Sequence, residues 1–169
     1  MKIIISPAKK MNIREDELEW ANLPCFLSRA EELKRYIQGL DLDQARKLWQ
    51  CNEKIALLNY GRFKEMDLER RLTPALLSYE GIQYQYMAPG VFEQGQWDYV
   101  QEHLRILSGF YGILKPLDGI VPYRLEMQAK VELTSGIKSL YDYWGSSICR
   151  ELAADETLIV NLASKEYSR

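Results

Sequence analysis

Histidine is almost absent from this 169-residue chain: His103 stands alone, on a stripe of apolar residues where a packed imidazole is the simpler reading than a general base. Cysteine is scarce too. Cys25, Cys51 and Cys149 are odd in number, far apart and never in a C-x-x-C pair, which excludes a secreted disulfide scaffold and fits a reducing compartment. With so few His and Cys side chains, no four-ligand structural zinc set can be drawn, and neither a metal nor an organic cofactor is expected. An excess of one charge is also missing. Lys and Arg total 22 against 24 Asp and Glu, a formal charge of -2, so no global basic field advertises a nucleic-acid partner and any anion site must be local. The longest strongly apolar stretch, Ile106 to Leu114, is interrupted by Ser108 and two glycines and falls well short of the roughly 20 residues that span a bilayer. Met1 to Pro7 holds too short an apolar run for a signal peptide. These absences predict a soluble, cytoplasmic protein without a membrane partner. The G-x-S-x-G, P-loop, G-x-G-x-x-G and H-E-x-x-H patterns are missing as well.

What is present is an ordinary globular mixture, 47% hydrophobic and 27% charged, of a size for one domain, residues 1–169. Ile3-Ile4-Ile5 is a β-branched run closed by Ser6-Pro7, and it predicts a short strand at the centre of a sheet. Helical spacing predicts helices over Leu23–Ile37, stopped by Gly39, over Asp41–Trp49, and from Glu53 to Phe63 with Ile55, Leu58 and Phe63 as its apolar face. Pro74 fits the first turn of a short helix, Ala75 to Tyr79. Ile82 to Tyr86 alternates as a half-buried strand should. Gln96 to Leu107 reads as a helix closed by Gly109 and Gly112, Leu125 to Leu133 as a strand, Lys138 to Ala153 as a helix, and Thr157 to Leu162 as a buried strand. Helices and strands mix without strict alternation, which points to a mixed α/β (α+β) fold with an irregular sheet and surrounding helices.

Polar groups sit beside structural punctuation in four segments: Ser6 to Lys9, Ser108 to Asp118, Pro122 to Met127, and Asn161 to Tyr167. Two of them follow buried strands, and ligands of open sheets bind at strand carboxyl ends. Ser6, Lys9, Ser164 and Glu166 can therefore converge, although the serines read equally well as turn caps and Lys9 as a solvated side chain. Arg124 and Glu126 fall on one face if their segment is extended. The stretch 41–63 pairs two helices through Cys51-Asn52-Glu53-Lys54. Such a pair presents backbone N–H groups at the second helix, which can hold a DNA phosphate without reading sequence. It lacks the glycine-rich turn of a helix-hairpin-helix element, and by pattern alone an ordinary αα-hairpin is the simpler reading.

The runs Ile4-Ile5-Ser6-Pro7-Ala8-Lys9, Leu104 to Gly109 with Tyr111-Gly112 and Pro116-Leu117-Asp118, Pro122 to Met127, Leu140-Tyr141 with Trp144-Gly145, and Asn161-Leu162-Ala163-Ser164 with Glu166-Tyr167 together resemble the YaaA family of bacterial peroxide-stress proteins from end to end. The resemblance implies a cytoplasmic protein of the peroxide-stress response that limits iron-dependent oxidative damage. It further implies a mixed fold called cantaloupe and a helix-hairpin-helix element, 41–63, that binds DNA. Phosphate contacts would then come, independently of base sequence, from Lys9, Lys54, Arg62, Lys115, Arg124 and Lys165. The alternative is an enzyme acting on a nucleobase-like or other small substrate, with Lys9, Arg124, Glu126, Ser164 and Glu166 around one cleft. Lys115 stands where members commonly carry Arg, and Asn52-Glu53-Lys54 replaces a more usual Ser-x-Lys. Members also continue past the Asn-Leu-Ala-Ser motif, so the chain reads as the N-terminal two-thirds of one, and the last strand is expected to leave an unpaired edge and an exposed apolar face.

Overall fold

Isoleucines in succession resist the helix and favour the pleated strand, and residues 2–5 form the strand about which the sheet is assembled. A computed structural model of the chain describes residues 1–14, 17–133, 136–154 and 158–168. In order, its elements are β1 (Lys2–Ile5), β2 (Lys10–Met11), α1 (Leu27–Gln38), α2 (Leu42–Trp49), α3 (Glu53–Lys64), β3 (Thr73–Pro74), α4 (Ala75–Ser78), β4 (Tyr79–Glu80), α5 (Ile82–Met87), a 3-10 turn at Pro89–Val91, α6 (Gln94–His103), β5 (Leu104–Ser108), β6 (Gly112–Leu114), β7 (Gly119–Ile120), α7 (Leu140–Trp144), α8 (Ser147–Ala153) and β8 (Ile159–Asn161). The main sheet runs β6-β5-β1-β8. β1 pairs in parallel with β5, Ile5 opposite Ile106, and with β8, Ile3 opposite Val160, while β5 and β6 form an antiparallel hairpin. The fold is mixed α/β.

Alternation along these strands divides the apolar residues between two layers. Ile5 and Ile106 join the large core with α1, α2 and α3, whereas Ile4, Leu107 and Ile113 pack with Leu152 of α8 in a small cluster. Asp41 caps α2 through a reciprocal capping box with Gln44, and Asn52 accepts from the Ile55 amide to start α3. The helix pair inside 41–63 therefore forms, with Gln50 in the left-handed region between them.

Several sequence expectations need correction. On α3 the buried face is Ala56, Asn59 and Phe63, and Leu58 is exposed; small Ala56 allows a closer approach than a leucine face would. Ile82 to Tyr86 is helical, because only Tyr84 is buried while Ile82 and Tyr86 stand in solvent, so no sheet face selects the two-residue period. Helix α6 stops at His103, and Leu104 to Ser108 becomes a strand recruited by β1. Gly109 and Gly112 consequently belong to the β5–β6 hairpin. Residues 125–133 keep the alternation of buried and exposed side chains yet form no strand. Gly145, at φ +50°, separates α7 from α8 inside the expected single helix 138–153. The last strand is an exposed edge, not a buried one: β8 pairs only with β1 among the described residues, and Leu158, Ile159 and Leu162 are exposed. Thr157, where that strand was expected to begin, lies outside the described residues.

The hairpin glycines set the tolerances of the site wall. A Cβ on Gly109 would meet the Leu125 carbonyl oxygen at 2.5 Å, and one on Gly112, at φ +76°, would meet the Trp144 ring at 2.8 Å. The Gly109 carbonyl also accepts the Trp144 indole N–H at 3.0 Å. Gly109→Ala must push the 123–127 segment outward, an overpacking cost of about 1–3 kcal/mol. A urea titration should show its midpoint reduced with an unchanged slope, whereas Gly61→Ala, where nothing lies within 4 Å, should not lower the midpoint.

Candidate functional site

Because β1 and β8 run in parallel, the residues that follow them emerge at one edge of the sheet. Ser6 Oγ accepts the Ser164 amide at 2.8 Å, and the two hydroxyls lie 3.3 Å apart. The Ser6 carbonyl accepts the buried Tyr84 hydroxyl at 2.8 Å. This tie fixes where the chain turns toward Lys9. Opposite it runs the extended segment 123–127, anchored by buried Tyr123, Leu125 and Met127, which leaves Arg124 and Glu126 together on its other side.

Between these walls lies a cavity of about 220 Å³ whose lining includes Lys9, Arg124, Glu126, Ser164 and Glu166. Glu126 is its electrostatic hub. One carboxylate oxygen lies 3.1 Å from the Arg124 guanidinium, the other 3.0 Å from Lys9 Nζ. Arg124 and Glu126 are largely shielded, whereas the Lys9 side chain is 66% exposed. Glu166 accepts the Gln128 amide at 3.4 Å, and its carbonyl accepts the Tyr141 hydroxyl at 2.7 Å. Formally, two cations and two carboxylates face this space.

The floor is phenolic. Tyr123 shares short hydrogen bonds with Tyr79 (2.7 Å) and Ser108 (2.6 Å), and burial pushes its hydroxyl up to about 12. Burial likewise raises the neighbouring Tyr79, Tyr84 and Tyr167 hydroxyls. At neutral pH these groups are protonated donors. A second cavity of about 100 Å³ shares Lys9, Arg124 and Glu126 with the first and is closed by Trp49, Gln50, Gln128 and Ala129. The α2–α3 pair thus borders the cleft through its connection. Trp49 and Gln50 escaped the sequence reading because Trp49 occupies an apolar position of α2, indistinguishable by spacing from core.

The remaining basic candidates do not line this cleft. Lys54 is exposed at the start of α3, and Lys165 is exposed beside Ser164. Arg62 donates to Asn59 and to the Met11 carbonyl and lines a separate cavity with Arg70 and Arg71. Lys115 borders a fourth, with Cys25, Arg105 and Asp118. There burial, reinforced by Glu151 and Asp118, pushes the Cys25 thiol up to about 11. Among the described residues no group of three or more His, Cys, Asp or Glu side chains is placed to hold a metal ion.

Asp118 is buried, and desolvation raises its carboxyl to about 6 although the Lys115 amide donates to it at 2.8 Å. A carboxyl raised in the folded state binds its proton more tightly there than when unfolded. Its ionisation therefore lowers stability as pH rises from about 4 through 6. The difference in unfolding free energy between Asp118→Asn and the original protein should favour the variant by about 1–3 kcal/mol at pH 7.5 and shrink steadily toward pH 4. Urea unfolding across that range measures it.

Comparison with known proteins adds a family. The model describing the peroxide stress protein YaaA matches residues 1–169. A UPF0246 protein of Desulfitobacterium hafniense is 58% identical over 169 residues, covering all of this chain and 67% of the relative. UPF0246 proteins of Agathobacter rectalis and Lachnoclostridium phytofermentans are each 53% identical over the whole chain, covering 68% and 66% of their lengths. The chain thus spans about two-thirds of these relatives. Similarity of this extent over the whole chain establishes that the chain belongs to the YaaA family of peroxide stress proteins.

Proposed function

We propose that this protein serves the peroxide-stress response from the cytoplasm by holding a small polar substrate in the Lys9–Arg124–Glu126 cleft, with limitation of iron-dependent oxidative damage as the outcome. One observation carries the reading: five polar side chains from three distant stretches, Lys9, Arg124 with Glu126, and Ser164 with Glu166, line a single concave space. Compact sites with a few convergent polar groups suit small ligands. Charge supports the same reading, because Glu126 takes up both Lys9 and Arg124 and leaves little net positive field for a polyanion. In this reading Arg124 and Lys9 orient and polarise the substrate, Glu126 and Glu166 accept its protons, and Ser164 hydrogen-bonds it.

DNA binding is the second reading, favoured by the position of the α2–α3 connection beside Lys9 and Arg124. Phosphates would meet the start of α3 and Lys54, with Lys9, Arg62, Lys115, Arg124 and Lys165 as further contacts. Survival of hydrogen peroxide in a bacterium lacking its own family member separates the two. Glu126→Gln should reduce survival to that of the strain without any copy, while the pair Lys54→Ala and Arg62→Ala should leave it unchanged. The opposite pattern, together with a DNA-binding salt slope reduced by about one for each lost phosphate contact, would establish the DNA reading.

A further inference from the structure

Two donors beside the cleft have no acceptor. The Trp49 indole N–H and the Arg124 Nε–H are both buried without a hydrogen-bond partner among the described residues, although the other end of the same guanidinium is paired with Glu126. A buried donor left unsatisfied is costly, and both belong to residues that line the smaller cavity. Packing does not demand an indole nitrogen at position 49. The Trp49 ring stacks on Phe63 at 5.7 Å, a contact that phenylalanine would also make. We propose that Trp49 and Arg124 form a two-donor subsite for the carbonyl oxygen of a neutral cyclic amide or ureide. The inference rests on the small-substrate reading and deepens it by naming the class.

The charges around the two cavities select a neutral ligand. Lys9 and Arg124 are balanced formally by Glu126 and Glu166, so an anion would bring an uncompensated charge into a partly desolvated space. A planar amide or ureide instead offers a carbonyl to the two N–H groups and ring N–H donors to the two carboxylates. A cavity of about 100 Å³ exceeds the roughly 30 Å³ share of one water and admits the carbonyl edge of a small ring, the rest of which would lie in the adjoining 220 Å³. Lys9 lines both spaces, and its ion pair with Glu126 is solvated on the lysine side. Water screens the lysine end of the pair and Arg124 remains on Glu126 when it breaks, so Lys9 can swing aside to open the way to the buried donors.

Uracil, a compact cyclic ureide, is the probe, with inorganic phosphate as the anionic control. The indole ¹H–¹⁵N resonance of Trp49, identified by its loss in Trp49→Phe, should shift saturably with uracil and stay still with phosphate. Trp49→Phe and Arg124→Lys, which keeps the charge beside Glu126 but has no Nε–H, should each weaken uracil binding roughly five- to tenfold with folded spectra retained. A response of the Trp49 resonance to phosphate would overturn the proposal. So would its indifference to uracil, which would leave ordered water as the occupant of the donors. If uracil fails to bind while Glu126→Gln still abolishes peroxide survival, the ligand class falls and the small-substrate reading stands. If uracil binds as described while Glu126→Gln leaves survival intact, the subsite stands and the functional reading falls.

Discussion

Parallel pairing of β1 with β8 is the constraint from which the cleft follows. Parallel neighbours deliver their following residues to the same edge, so the Ser6 turn and the Ser164 turn are neighbours in space although 158 positions apart in sequence. Antiparallel pairing would have sent Ser164 to the far end of the sheet. The Ser6–Ser164 hydrogen bond and the Tyr84 hydroxyl then hold the turn so that Lys9 meets Glu126.

The opposite wall depends on a different device. Residues 123–127 have no strand partner among the described residues, yet alternate side chains drive Tyr123, Leu125 and Met127 inward. The glycine at 109 lets that segment approach the β5–β6 hairpin at backbone distance. Apolar burial thus substitutes for ladder hydrogen bonds in presenting Arg124 and Glu126 side by side. Their mutual ion pair, extended to Lys9, makes a cleft that is highly polar but nearly balanced in charge.

Local chemistry made much of this legible. The isoleucine run named the central strand, Gly39 and Asp41 marked helix ends, and Pro122 to Met127 together with the strand-end serines named most of the cleft. Periodicity failed where tertiary pairing overrode it. Leu104 and Leu107 continue the helical spacing of α6 without a break, and only the presence of β1 alongside converts them into strand. Tyr84 and Tyr86 alternate with polar residues, but no sheet face is there to receive them. Trp49 was invisible for a subtler reason: its ring stacks in the core on Phe63 while the residue also lines the smaller cavity, and a hydropathy pattern reports only the first of these.

The sheet's connectivity also governs when the protein can fold. β1 pairs with residues about 100 positions onward in β5 and nearly 160 onward in β8, so its closing contacts have a high sequence separation and carry a large loop-closure entropy. During synthesis at about 5–20 residues per second, β1 waits roughly ten to thirty seconds for its second partner. Both edges of the three isoleucines stay open until β5 emerges, and one stays open until β8 follows. The same pairing that builds the cleft therefore leaves β1 without its complete sheet for most of the chain's synthesis.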